Sequence, residues 1–224
     1  MISLGFSVLG ARAEPYAAVP TLGFKLEVTE TSGEQIHVLA LRCQLQIEPR
    51  RRRYSPHEEK QLLELFGGPE RWGNTLRTIV WTHVSVLVPG FSGRTEVDLP
   101  VPCTYDFEVT ASKYFHALQD GEILLRFLFS GTVFARGESG FNVHQVPWDK
   151  EATYRLPVRV WRDLMDLYFP GSAWIRLRRD SFDALHQFKG QHALPTWDDA
   201  IEALLEKAGE KAEVSEPTGG GGTA

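Results

Sequence analysis

His37-Val38-Leu39-Ala40-Leu41-Arg42-Cys43-Gln44-Leu45-Gln46-Ile47 sets Leu39, Leu41, Cys43, Leu45 and Ile47 against Arg42, Gln44 and Gln46. Side chains of a β-strand point alternately to two faces, so this period of two marks a strand with one face on a core and one toward water. Upstream, Phe24-Lys25-Leu26-Glu27-Val28-Thr29 alternates in the same way. Thr31-Ser32-Gly33-Glu34 lies between the two runs and predicts a hairpin turn. Working outward, Phe6 and Val8 before Pro15 predict a short first strand, and Ile79 to Val88 predicts another with Val80, Val84, Val86 and Val88 on one side. Tyr105, Phe107 and Val109 alternate with Asp106, Glu108 and Thr110, which predicts a strand with two carboxylates on its polar face. Ile123 to Ala135 is apolar on both faces apart from Arg126, the pattern of a central strand, and Phe141 and Val143 begin a further one.

Helical signals interrupt this pattern once and then replace it. Ser55-Pro56-His57-Glu58 has the chemistry of a helix start, with Ser at the N-cap, Pro at N1 and Glu at N3. Leu62, Leu63 and Phe66 form its apolar side, Gly67-Gly68 stops it, and Pro69 to Leu76 has room for a second short helix. After residue 156 the period becomes 3.6: Val158, Trp161, Leu164, Met165 and Tyr168 share a face, and Pro170-Gly171 ends that helix. Asp180 is the expected cap of the next helix, with Phe182, Leu185 and Phe188 buried. Thr196 is the expected cap of the last, with Asp199 at N3 and Trp197, Ile201, Leu204 and Leu205 on one face. Strands first and helices afterwards predict an α+β fold: a curved antiparallel β-sheet with a helical insertion, followed by C-terminal helices.

Charge and composition narrow the classes of function. The formal net charge of −5 is accounted for by residues 198–216, where seven acids stand against two lysines, so the body of the chain is formally neutral. A neutral body argues against nucleic-acid binding. At 42% hydrophobic the chain has enough apolar residues for a core. The expectation is a single α+β domain over 1–209 with a disordered acidic and glycine-rich tail over 210–224, because the tail cannot bury enough apolar surface to offset its ordering entropy. Met1-Ile2-Ser3 lacks the basic start of a secretory signal, and no stretch approaches about 18 uncharged apolar residues, so no membrane span and a cytoplasmic location are expected.

The catalytic motifs are absent. The glycines assemble neither GxGxxG, GxxxxGK[ST] nor GxSxG, and the seven histidines show no HxxxH or HxH spacing. Cys43 and Cys103 cannot form a CxxC pair or a four-ligand zinc site and are expected as buried, inert thiols. No metal, cofactor or catalytic residue is therefore expected. His83, on a strand beside Trp81, is expected half-buried. His116, in Lys113-Tyr114-Phe115-His116 near Asp120, together with Asp106 and Glu108, is the set an acid–base enzyme would use. The plainer expectation for the two carboxylates is solvation or pairing with an arginine such as Arg126.

Arg50-Arg51-Arg52-Arg53 is the sharpest local feature. It has three readings: a phosphate grip, a solvated run balanced by Glu58, Glu59 and Glu64, or a docking patch for an acidic partner. Six tryptophans, thirteen phenylalanines and six tyrosines supply core, with some left for a contact surface.

Pro49-Arg50-Arg51-Arg52-Arg53-Tyr54-Ser55-Pro56, Val101-Pro102-Cys103-Thr104-Tyr105-Asp106-Phe107-Glu108-Val109 and Gln145-Val146-Pro147-Trp148-Asp149-Lys150-Glu151 together resemble a bacterial, actinobacterial-type family of unknown function, over nearly the whole chain to about residue 208. Its members sometimes lie near genes of high-affinity nickel–iron hydrogenases. The resemblance implies an accessory or assembly role and assigns no catalytic residue. A fainter likeness, in element order alone, is to the SecB-type export chaperone. The leading expectation is a non-enzymatic accessory protein that binds another protein, possible surfaces being Arg50, Arg51, Arg52, Arg53, Asp106 and Glu108. The alternatives are a SecB-like holdase and a small-molecule-binding or hydrolytic enzyme.

Overall fold

The computed structural model describes residues 2–106, 109–137, 140–172 and 175–209. The described chain divides into two compact units, one ending at Ile175 and one beginning at Arg176. The acidic tail of 210–224, Glu108 and Trp174 lie outside the described residues.

In the first unit, β1 (Leu4–Ala13), β2 (Thr21–Glu30) and β5 (Arg94–Pro102) form an antiparallel three-stranded sheet in the order β1-β2-β5. A five-stranded sheet runs β4 (Ile79–Phe91), β3 (Ile36–Ile47), β6 (Glu122–Gly137), β7 (Gly140–Gln145), with β8 (Glu151–Pro157) also on β6. β7 and β8 share the same edge of β6, pairing with 132–137 and 122–128 respectively. The loop between them passes Gly131, whose φ of +149° and close approach to the Ala40 carbonyl leave no room for a Cβ. The inward faces of both sheets meet: Phe6 stacks on Phe129 with ring centroids 4.3 Å apart, and Phe24 meets Phe127 edge-on at 5.2 Å.

Short helices close the ends of this pair of sheets. α1 (Pro56–Gln61), α2 (Leu63–Phe66) and α3 (Trp72–Thr75) fill the β3–β4 connection, α4 (Thr110–Ala117) the β5–β6 connection, and α5 (Val158–Tyr168) follows β8. α5 buries Val158, Trp161, Leu164 and Met165, a stripe worth roughly 1.5–3 kcal/mol per side chain. Trp161 stacks on Phe115 of α4, which meets Trp81 of β4 at 4.9 Å. Tyr168 Oη donates to the Glu14 carbonyl and accepts from the Ala17 amide, tying α5 to the β1–β2 connection. The second unit holds α6 (Arg179–Gln191) and α7 (Trp197–Ala208), the latter capped by Thr196 and Asp199 in a reciprocal box.

Antiparallel sheets, a helical insertion and C-terminal helices give the α+β class read from the sequence. Local differences have physical reasons. A β-bulge at Trp81 (Leu45 faces Thr82, but Gln46 faces Val80) turns Val80 outward, away from Val84, Val86 and Val88. His83 alternates with Val84 and faces solvent, its Nε2 2.9 Å from Gln44 Nε2. Tyr105 and Asp106 lie in an irregular link rather than a strand, because β5 ends at Pro102 and α4 begins at Thr110. Helix α6 starts at Arg179, so Asp180 sits in its first turn and is not its cap. No residue of α6 is buried: Phe182 stays exposed beside Trp197.

Candidate interaction surfaces

The arginine run begins in a single 3-10 turn, Pro49–Arg51, just after β3. Arg50, Arg51 and Arg53 are exposed, and Arg50 Nη2 reaches the Gly73 carbonyl at 3.1 Å. Arg52 turns inward. Its guanidinium pairs with Glu58 and donates to the carbonyls of Asp120 (2.6 Å) and Glu122 (3.1 Å), while its side chain is 9% exposed. Glu58 is the N3 residue of the Ser55 capping box, and it also accepts the Gln119 amide at 2.9 Å. One carboxylate therefore caps α1 and clamps the segment that enters β6. Burial works against its ionisation, but the Ser55 and Gln119 amides and the Arg52 charge outweigh it and hold its pKa below the ordinary value.

Tyr54 lies beneath that guanidinium, 5.6 Å from ring centroid to Cζ. Its hydroxyl donates to the Pro49 carbonyl at 2.8 Å, so Tyr114, 2.8 Å away, is the donor in the Tyr54–Tyr114 bond. Burial pushes the Tyr54 phenol up to about 12 and Tyr114 higher still, so both stay neutral. The run thus splits into three exposed cations around one structural anchor. Sequence reasoning found Ser55 and Glu58 as a cap but had no signal for which of four identical arginines would be drawn inside.

Of the other proposed groups, Asp106 and His116 are described, while Glu108 lies outside the described residues. Asp106 lies at intermediate depth before α4, and His116 is on the outer side of α4, its pKa lowered by partial burial and by the Arg162 charge. Neither lines any of three clefts among the described residues. Arg126 pairs with Glu151 across β6 and β8, Nε to Oε2 at 3.0 Å, where the sequence reading had offered it to Asp106 or Glu108. Among the described residues no three His, Cys, Asp or Glu side chains converge as metal ligands. Cys43 and Cys103 are buried free thiols, each pushed up to about 12 by burial.

The outward face of the five-stranded sheet is the surface that sequence reading did not assemble. Register places Val143, Phe134, Val38 and Pro89 in one row across β7, β6, β3 and β4. The adjoining row is Gln145, Thr132, Ala40 and Leu87. Leu87 is 69% exposed, Phe141 59% and Val143 57%, and Trp148 in the β7–β8 loop is 93% exposed. These exposed apolar side chains form a band across the outward sheet face.

A model of a family of unknown function, DUF6084, matches residues 1–213. The chain belongs to that family. No curated protein sequence matches this DUF6084 chain. Among solved structures it is similar to the CARDB domain of a Pyrococcus furiosus protein crystallised with di-metal ions, at 9% identity over 69% of this chain and 91% of that one, with a TM-score of 0.28. It is also similar to a protein named as a late embryogenesis abundant (LEA) protein, at 13% identity over 69% and 72%, TM-score 0.32. A third likeness is to a β-glucosidase from Kluyveromyces marxianus, at 7% identity over 69% of this chain and 15% of that one, TM-score 0.25. None of these likenesses assigns the DUF6084 chain a role. Among its described residues no helix is long and apolar enough to cross a membrane.

Proposed function

We propose that this chain is a non-enzymatic accessory protein that binds another protein through the outward face of its five-stranded sheet. The observation that supports this most is the apolar row Val143–Phe134–Val38–Pro89, flanked by Leu87 and Phe141, on a face that no described element of the first unit covers. Arg50, Arg51 and Arg53 are its proposed electrostatic accessory, able to steer an acidic partner without taking part in the core. The proposed setting is assembly of a redox enzyme, a nickel–iron hydrogenase in the first instance, on the strength of the family resemblance. The protein's place is the cytoplasm in this reading.

The test is capture from cells that make the protein, followed by mass spectrometry, comparing the wild type with Phe141→Glu/Val143→Glu. A defined partner retained by the wild type and lost from the variant supports the reading. Equal retention by both proteins overturns it. Broad suppression of aggregation of unrelated clients would support a SecB-like holdase in its place, and turnover abolished by His116→Ala would support the hydrolytic alternative.

A further inference from the structure

We propose that β4 is a self-pairing edge, and that two copies of this chain join their five-stranded sheets antiparallel through Thr82–Val88 about a two-fold axis at Ser85. Among the described residues, every backbone hydrogen bond of β4 runs to β3, so its other side presents unpaired amides and carbonyls. An edge of that kind is a template for another strand unless something blunts it. The remaining edges are blunted. β5 carries charges and two prolines, β1 is broken by a bulge at Leu9, and β7 and β8 are short. β4 has thirteen residues and no Asp, Glu, Lys or Arg, and its own bulge and Pro89 leave the seven residues Thr82–Val88 between them regular.

The occupant is a second copy because the strand is symmetric about its own centre. With Ser85 opposite Ser85, Val84 faces Val86 on either side of the axis, Thr82 faces Val88 and His83 faces Leu87, so valine meets valine at the centre and no like charges meet. Val84 and Val86 pack on the core yet remain partly exposed, which leaves the space between the sheets ajar along this edge. Antiparallel pairing closes it with the same two residues from the partner copy. The segment is bounded on both sides, by the Trp81 bulge with its ring on Phe115 and by Pro89, which has no amide to donate. A foreign strand would be selected by charge, and this edge offers none. The inference is independent of the outer-face reading.

Molar mass by light scattering is the first readout. The full chain should elute at twice 25.2 kDa and dissociate on dilution. Ser85→Lys places two ammonium groups opposite each other on the axis and should weaken association about tenfold or more, with the thermal midpoint of the monomer kept. Ser85→Cys is a milder second variant. Residues facing each other across an antiparallel pair have Cα atoms about 4.5–5.5 Å apart, within disulfide range, so mild oxidation should give a covalent dimer. Glu96→Cys, on the blunted β5 edge, should not. A chain that stays monomeric at about 100 µM, a range in which weak dimers form, overturns the proposal. So does a dimer in which Ser85→Cys crosslinks no faster than Glu96→Cys.

Discussion

Replacing Arg52 by methionine keeps its aliphatic bulk and removes its charge. The guanidinium holds Glu58 on one side and the Asp120 and Glu122 carbonyls on the other, with 9% of the arginine side chain and 4% of the glutamate exposed. Removing one partner of so buried a pair leaves the other charged and unpaired, at a cost of about 3–5 kcal/mol. For a chain of this length each kcal/mol lowers the midpoint by about 2–4 °C, so Arg52→Met should melt about 6–20 °C below the wild type. The neighbouring triple variant Arg50→Ser/Arg51→Ser/Arg53→Ser should stay within about 0.5 kcal/mol per residue, because those side chains are exposed. Thermal and urea denaturation at neutral pH measure both, and Glu58→Gln in the Arg52→Met background should recover part of the loss by relieving the unpaired carboxylate. A midpoint for Arg52→Met within a degree or two of the triple variant would refute the division of the run into one anchor and three exposed cations.

Acid should act through Glu30 and Glu58, the buried carboxylates among the described residues. Glu30 is 4% exposed, and despite the opposing effect of burial its pKa is held low by Ser32 and by the amides of Ser32, Ser3 and Gly33; Glu58 is also held low. Their contribution is full above the ordinary carboxylate value and is lost as pH falls through the depressed folded values, so stability should decline below about pH 4.5. Glu30→Gln should flatten that decline, and a stability that rises on acidification through this window would contradict the assignment. Gly131→Ala should destabilise by several kcal/mol, or about 2 at the least from its φ of +149° alone, since a Cβ there lies 2.1 Å from the Ala40 carbonyl. An unchanged thermal midpoint would show that β6 takes a different path past Ala40.

Strand runs, the capped starts of α1 and α7 and the fold class were legible in the sequence because they depend on periods of 2.0 and 3.6 and on local capping chemistry. Leu39 to Ile47, Ser55 with Glu58, and Thr196 with Asp199 carry their structural roles within a few residues of themselves. The strand misread at Tyr105 and Asp106 and the three elements not foreseen, β5, α4 and β8, mark the limit of that reasoning. Alternation alone does not reveal that Pro100 and Pro102 can sit on a sheet edge, or that the next residues curl into a helix. What only the tertiary structure decided was partnership. A period of two shows that one face is buried but not against which sheet, so the division into β1-β2-β5 and the five-stranded sheet came from long-range pairing. The same holds for the arginine run: four identical cations differ only in what the distant Asp120–Glu122 segment places beside them. The apolar band across β7, β6, β3 and β4 is likewise a product of register, since its residues lie as far apart in the chain as Val38 and Val143.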